Sequence, residues 1–92
     1  MLQDIKDVLR VNGEDLNKEI EDLIESAKAD LKLSGVHESK IKDDDPLIKR
    51  AVILYCKAYF GYDEPKLSER FQTSYESLKK HLTLSTEYTA GD

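Results

Sequence analysis

Residues 45–60 read DPLIKRAVILYCKAYF, a stretch in which apolar side chains far outnumber charged ones. After the first residue its only charged side chains are Lys49, Arg50 and Lys57. Asp45 followed by Pro46 is typical of a helix start. The Asp side chain accepts hydrogen bonds from the first turn, and Pro needs no partner at the first helical position. The stretch therefore predicts a helix that begins at Pro46.

The predicted helix is apolar nearly all round, because Ile53, Cys56 and Phe60 extend the apolar surface to the side opposite its main stripe. Such a helix is buried nearly all round. Three other helices of a 92-residue chain can only barely provide that burial. The alternative is that part of this surface, with the tyrosines nearby, packs against another subunit. Both interpretations are open at the level of sequence.

Apolar spacing predicts three further helices around this one. A short first helix ends before Asn12, and a second begins at Asn12 or Gly13 and ends at Ser34-Gly35. Gly61 ends the third helix, and a fourth starts near Pro65. The apolar positions of these helices are Leu2, Ile5, Val8 and Leu9; Leu16, Ile20, Leu23, Ile24, Ala27 and Leu31; and Leu67, Phe71, Tyr75, Leu78 and Leu82.

The predicted fold is all-α, a single compact domain of four main helices around the central apolar helix. We assign residues 1–84 to this domain. Residues 36–45 are predicted to form a loop with Val36 and Ile41 as anchors in the core. Residues 85–92 are polar and unpatterned, which predicts a flexible or partner-ordered tail.

Composition limits the function classes. Apolar residues make up 39% and charged residues 36%, and no apolar run approaches the length of a membrane helix. The N-terminus has charges every few residues, unlike a signal peptide, so we expect a soluble protein made in the cytoplasm. The net charge is −5, which argues against a general nucleic-acid binder. Residues 1–45 hold 7 basic and 13 acidic residues, a net charge of −6, so the acid is concentrated there.

Candidate chemical groups all have structural explanations. Cys56 is the single cysteine, which excludes an internal disulfide, and its place in the apolar helix is typical of an inert thiol. His81 lies near the predicted C-terminal end of the fourth helix, where a positively charged ring would interact favourably with the helix dipole. The run 43–45 lacks the ligand spacing of a calcium loop. We therefore expect no catalytic residues, no metal and no cofactor.

The third helix resembles the central helix of the phage head–tail connector family, small helical adaptor proteins of tailed phages and prophages. The residues that carry this resemblance are 45–55 and then Lys57-Ala58-Tyr59-Phe60-Gly61-Tyr62. Phe71-Gln72 and Tyr75-Glu76-Ser77-Leu78-Lys79 resemble the final helix of the same family. The resemblance covers residues 1–88.

This resemblance implies a structural, non-enzymatic role. Such adaptors form a homo-oligomeric ring on the portal protein after DNA packaging and dock a stopper, another head-completion factor or a tail protein. In the virion, the ring size considered is twelve subunits. DNA passes through the ring without specific binding, and no membrane takes part. The expected location is the host cytoplasm during assembly and then the neck of the virion.

Two sets of residues are candidates for these roles. A ring forms when each subunit contacts a different patch of its neighbour. The candidate contact residues are Ile53, Cys56, Phe60, Tyr62, His37, Lys40, Asp43 and Asp44. An acidic channel wall repels phosphate, so acids of the second helix, or residues 43–45, are expected to border the channel. The channel candidates are Glu14, Asp15, Glu21, Asp22 and Glu25, for which solubility alone is the other explanation.

A different class of function is the alternative. Small DNA-associated regulators and packaging-terminase accessory proteins are also common in phage genomes. The cations of the fourth helix alternate with Glu69 and Glu76, so they form no basic stripe for DNA. Duplex DNA affinity that falls steeply with salt would favour this alternative.

Overall fold

The computed structural model of the chain describes residues 1–60 and 65–90. Within them the chain forms five α-helices, one 3₁₀ turn and no strand, which confirms the predicted all-α fold. The helices are α1 (Leu2–Leu9), α2 (Asn17–Ser34), α3 (Pro46–Tyr59), α4 (Pro65–Thr83) and α5 (Thr86–Thr89), with the 3₁₀ turn at Glu38–Lys40. The predicted helix end at Gly61 lies outside the described residues.

The start of α3 follows the sequence prediction closely. Asp45 is the N-cap, and its Oδ1 accepts hydrogen bonds from the backbone N–H groups of Leu47 at 2.9 Å and Ile48 at 3.1 Å. Pro46 occupies the first helical position. This cap satisfies two N–H groups that would otherwise lack partners, so it stabilises the start of α3 at this residue.

The second helix begins later than predicted. It starts at Asn17, so Glu14 and Asp15 lie in the preceding turn, outside the first turn of the helix. Gly13 has a φ of +80°, a left-handed conformation that breaks the helical path. Its carbonyl oxygen accepts a hydrogen bond from Lys6 Nζ at 2.5 Å, which holds this turn against α1. The predicted end is confirmed, since Gly35 terminates α2 with a φ of +122°.

The core lies where α3 packs between α2 and α4, with α1 against α2 and α3. Its fully buried side chains come from four helices and the loop after α2, where Val36 is 1% exposed. The largest of them are Ile5, Ile20, Leu31, Val36, Ile48, Val52, Cys56, Tyr75 and Leu82. Val36 is thus a core anchor as predicted, and Ile41 is partly buried beside the core.

The chain itself covers most of α3. Ala51, Val52 and Cys56 are fully buried, and Ile53 and Phe60 pack against the core with part of their surface exposed. Contacts from α1, α2 and α4 provide this cover. Burial of α3 therefore does not by itself require a second subunit, and contact of its partly exposed side with another subunit stays a prediction.

The C-terminal segment differs from the predicted tail. Residues 86–89 form α5, and Tyr88 is buried in the core cluster. The backbone N–H of His37 donates to the carbonyl oxygen of Tyr88 at 2.8 Å, which joins the segment to the loop after α2. Burial of the Tyr88 ring and this backbone hydrogen bond therefore hold the polar segment against the rest of the fold. Residues 91–92 lie outside the described part of the chain.

None of the helices that the structure describes is both long enough and apolar enough to cross a lipid bilayer.

Candidate assembly surfaces

One side of α3 keeps partial contact with solvent, as do two exposed residues elsewhere on the helix, Leu47 and Tyr59. At about 100° per residue, Ile53, Lys57 and Phe60 share this side with Lys49 and Arg50. Arg50 is exposed, and the other four are partly buried. We call these five residues the α3 strip. All three cations of α3 lie on it, and α3 carries no carboxylate, so the α3 strip is apolar along its middle and positive along its edges.

Intramolecular contacts hold the edges of the α3 strip in place. Lys49 Nζ forms an ion pair with Asp4 Oδ2 of α1 at 3.3 Å. Lys57 Nζ lies 5.1 Å from the ring centroid of Phe71 in α4, within range of a cation–π interaction. The strip is therefore a supported surface between α1 and α4.

One predicted contact residue of α3 does not contribute to this surface. Cys56 is 0% exposed, and burial raises the pKa of its thiol to about 12, so its side chain faces the core of its own chain. Such a thiol is protonated and inert near neutral pH. Tyr62 lies outside the described residues. Of the four predicted contact residues on or near α3, the structure brings Ile53 and Phe60 together on one side.

The other predicted contact residues lie on the loop between α2 and α3. His37 caps the 3₁₀ turn, since its Nδ1 accepts from the backbone N–H of Ser39 at 3.1 Å. Asp43 forms an ion pair with Lys28 of α2 at 2.7 Å. The hydrogen bond from Lys28 lowers the pKa of the Asp43 carboxyl, against a smaller opposing effect of burial. Asp44 is exposed and Lys40 partly buried, so this loop is anchored to α2 and accessible.

The C-terminal segment braces the same loop. Tyr88 donates its hydroxyl proton to the carboxylate of Asp45, with both oxygens 3.1 Å away. Burial, and then this hydrogen bond to a carboxylate, raise the pKa of the Tyr88 hydroxyl. Asp45 therefore caps α3 and binds α5 at once, a contact that sequence reasoning missed because the polar residues around Tyr88 carry no periodic signal.

The acidic residues predicted to border a channel are all exposed. Glu21, Asp22 and Glu25 lie on α2, and Glu14 and Asp15 lie in the turn before it. The three on α2 border a recess of about 310 Å³ between α2, the start of α1 and the loop. Met1, Leu2 and Ile24 contribute apolar atoms to its lining, and Lys28 and Asp43 line it as well. We call this the α2 recess.

A second polar cluster joins α2 to α4. Tyr75 donates to Asp30 Oδ2 at 2.6 Å, and Lys79 Nζ lies 3.0 Å from the same oxygen. Burial alone would raise the pKa of Asp30, but the hydrogen bonds from Tyr75 and Lys79 and the charge of Lys79 lower it overall. Tyr55 packs edge-on against the Tyr75 ring at 5.2 Å. The apolar pattern located Tyr75, but it carried no signal for Asp30.

Within the run 43–45, Asp45 is the helix cap that the sequence predicted. Asp43 in addition forms an ion pair with Lys28, which the sequence did not predict. In residues 1–60 and 65–90, no three His, Cys, Asp or Glu side chains are grouped so that they could hold a metal ion. The chemistry that this arrangement offers is recognition by charge and shape on the α3 strip, the loop and the α2 recess.

Comparison with known proteins identifies the family. The sequence pattern of the family described as phage connector protein matches residues 1–89. No curated protein and no solved structure matches the chain. The match spans every helix described above and includes the stretches that carried the resemblance. The chain therefore belongs to the phage connector protein family.

Proposed function

We propose that the chain is a head–tail connector subunit that assembles with copies of itself into a ring on the portal protein after DNA packaging. The ring then docks the next head-completion or tail protein, in the neck of the virion. The observation that carries the proposal is the family match over residues 1–89, which supports a phage connector role. This family is of a structural, non-enzymatic kind, so we infer that the chain acts by binding.

The exposed surfaces support assembly through specific patches. Most of α3 is covered internally, so a subunit folded on its own is consistent with this structure. What remains for a neighbour is the α3 strip together with the loop that carries His37, Lys40, Asp43 and Asp44. These are small, partly polar surfaces, which are typical of contacts that form on a template. A monomer in solution and a ring on the portal are therefore compatible.

The charge distribution bears on the channel. Exposure of Glu14, Asp15, Glu21, Asp22 and Glu25 is a requirement for any residue that borders a channel, and all five meet it. Acids at a channel wall reduce the attraction of the protein for passing DNA. Their position relative to a channel stays a prediction, and a ring that placed all five on its outer rim would contradict it.

The direct test is capture of the chain by the portal protein encoded in the same phage or prophage. Purified portal, immobilised, should retain the wild-type chain. It should retain Arg70→Glu equally well, because Arg70 is exposed on α4 and does not belong to the α3 strip. Ile53→Asp should reduce retention at least tenfold, and its circular dichroism should show a helical content like that of wild type.

Failure of the wild-type chain to bind portal would contradict the proposal. A parallel titration with duplex DNA tests the alternative class of function. The connector proposal predicts no measurable affinity at physiological salt. Tight binding that weakens steeply as salt rises would indicate a DNA-associated regulator or a terminase accessory protein.

A further inference from the structure

Two surfaces of the chain are complementary in charge. The α3 strip offers Arg50 beside the partly exposed Ile53, with Lys57 one turn further along. The α2 recess offers apolar atoms in a lining that also holds Glu21, Asp22, Glu25 and Asp43. No residue that lines the α2 recess belongs to α3, so the two surfaces are distinct within one chain.

The α2 recess keeps an excess of negative charge. Lys28 belongs to its lining, and the charge of this lysine is engaged by Asp43 at 2.7 Å. The positive charge of the Met1 amino group also acts on Asp43. The other carboxylates, on Glu21, Asp22 and Glu25, are exposed, and of these Asp22 has a partner at 3.7 Å in the highly exposed Lys18. Glu21 and Glu25 are thus available to a cation from outside.

The lining of the recess suits the chemistry of an arginine. The recess is open to solvent and holds both apolar atoms and carboxylates, so the aliphatic stem of an arginine can pack on the apolar atoms while its guanidinium meets carboxylates. Arg50 is an exposed arginine of the α3 strip, and α3 bears no acid that would compete for it. Arg50 is therefore the natural occupant of the recess.

We infer that the α3 strip of one copy docks on the α2 recess of the next, with Arg50 placed against Glu21 and Glu25. The inference rests on the proposed function and deepens it by naming the two faces of the subunit contact. Because the two faces differ, the contact is heterologous and propagates from copy to copy, as ring closure requires. Glu14 and Asp15, in the turn before α2, then remain as the acids that border the channel.

Cross-linking between variants with one added cysteine each tests this contact. Leu47 is exposed one turn before Arg50, and Asp22 lines the α2 recess, so substitution at either position leaves Arg50 and its carboxylate partners in place. Chains with Leu47→Cys and chains with Asp22→Cys, one of them tagged, are mixed on the portal protein and treated with a short bis-maleimide. The native thiol of Cys56 is buried and does not compete. We expect a covalent heterodimer in the mixture and at least a tenfold lower yield of dimer from either variant alone. The matched mixture of Arg70→Cys with Asp22→Cys should give no heterodimer.

Charge exchange provides a second readout that a folding defect would not mimic. Arg50→Glu should abolish assembly on the portal, and Glu25→Arg should do the same. The chain that carries both changes should recover assembly, because each copy then presents the opposite charge to its neighbour. No heterodimer and no recovery, while wild type still forms rings on the portal, would overturn this inference and leave the proposed function standing. Absence of any assembly by wild type would overturn both.

Discussion

The side chain of Asp45 accepts hydrogen bonds from two different helices. Its carboxylate accepts two backbone N–H groups at the start of α3 and the hydroxyl of Tyr88 from α5. Loss of a helix cap costs about 1 kcal/mol, and loss of a hydrogen bond to a charged acceptor costs about 1.5 kcal/mol or more. The residue therefore couples the central helix to the C-terminal segment.

We predict that Asp45→Ala lowers the free energy of unfolding by about 2.5 kcal/mol, the sum of the lost cap and the lost acceptor for Tyr88. Urea denaturation followed by circular dichroism measures this. Asp44→Ala is the matched control, because Asp44 is an exposed neighbour of the same type, and it should change stability by less than about 0.5 kcal/mol. Equal effects of the two substitutions would show that the cap and the tyrosine contact contribute nothing.

Two other carboxylates predict a dependence of stability on pH. The pKa values of Asp30 and Asp43 lie below the usual value in the folded chain, through hydrogen bonds from Tyr75 and Lys79 and from Lys28. A carboxyl with a depressed folded pKa stabilises the fold fully above its unfolded pKa, about 4, and loses this effect as pH falls through the folded value. Stability should thus decrease as pH falls below about 4.

The thermal midpoint of the wild-type chain should fall on acidification from neutral pH to about pH 2. The Asp30→Asn, Asp43→Asn chain should start from a lower midpoint at neutral pH and lose less of it on acidification. Asp44→Asn serves as control and should follow wild type. If the double variant lost as much as wild type, the two ion pairs would not be the origin of the dependence.

Among the elements, α5 is the smallest and depends most on distant partners. Its four residues hold Tyr88, whose ring enters the core and whose carbonyl oxygen accepts from His37. A helix of this length has no stability of its own in water. α5 is therefore held in place by burial of the Tyr88 ring and by two hydrogen bonds, one to His37 and one to Asp45.

We predict that Tyr88→Ala destabilises the chain by about 3 kcal/mol, the cost of removing a large buried aromatic side chain. Tyr88→Phe keeps the ring and loses the hydrogen bond to the charged Asp45, so it should cost about 1.5 kcal/mol. Guanidinium denaturation of the two variants and wild type gives both values. A tail that stayed flexible would leave all three chains equally stable.

The elements also show which structural features a sequence can predict. The start of α3 follows from Asp45-Pro46 because a cap is a local interaction among adjacent residues. The late start of α2 was missed because Leu16 continues the apolar stripe, whereas the turn before it depends on the positive φ of Gly13 and on Lys6. The docking of Tyr88 was missed since it depends on residues more than 40 positions away.

The candidate surfaces were predicted only in part, because they too depend on contacts between residues that are distant in the sequence. Periodicity placed Ile53, Cys56 and Phe60 on the second side of α3, but it does not say how far the neighbouring helices extend around that side. The structure shows that their cover includes Cys56 and leaves Ile53 and Phe60 partly exposed. The α2 recess had no sequence signal, because its lining comes from three separate segments.

In the whole molecule, the acidic residues of the first half and the cations of α3 lie on different surfaces. The excess of −6 in residues 1–45 is located on the turn before α2, on the outer side of α2 and on the loop, whereas the cations of α3 lie on the α3 strip. The described globule measures 38 × 27 × 19 Å, so surfaces of opposite sign occur within one small subunit. In the proposed assembly, these surfaces would attract neighbouring copies to each other, and acids at the channel would repel DNA.

Electron microscopy of the chain bound to its portal protein tests the central claim most directly. The account predicts, in averaged images, a closed ring of copies of this chain stacked on the portal around an open channel. It also predicts that α3 of each copy faces α2 of its neighbour. Portal particles that show no added ring in the presence of excess chain would contradict the claim that this protein works by assembly.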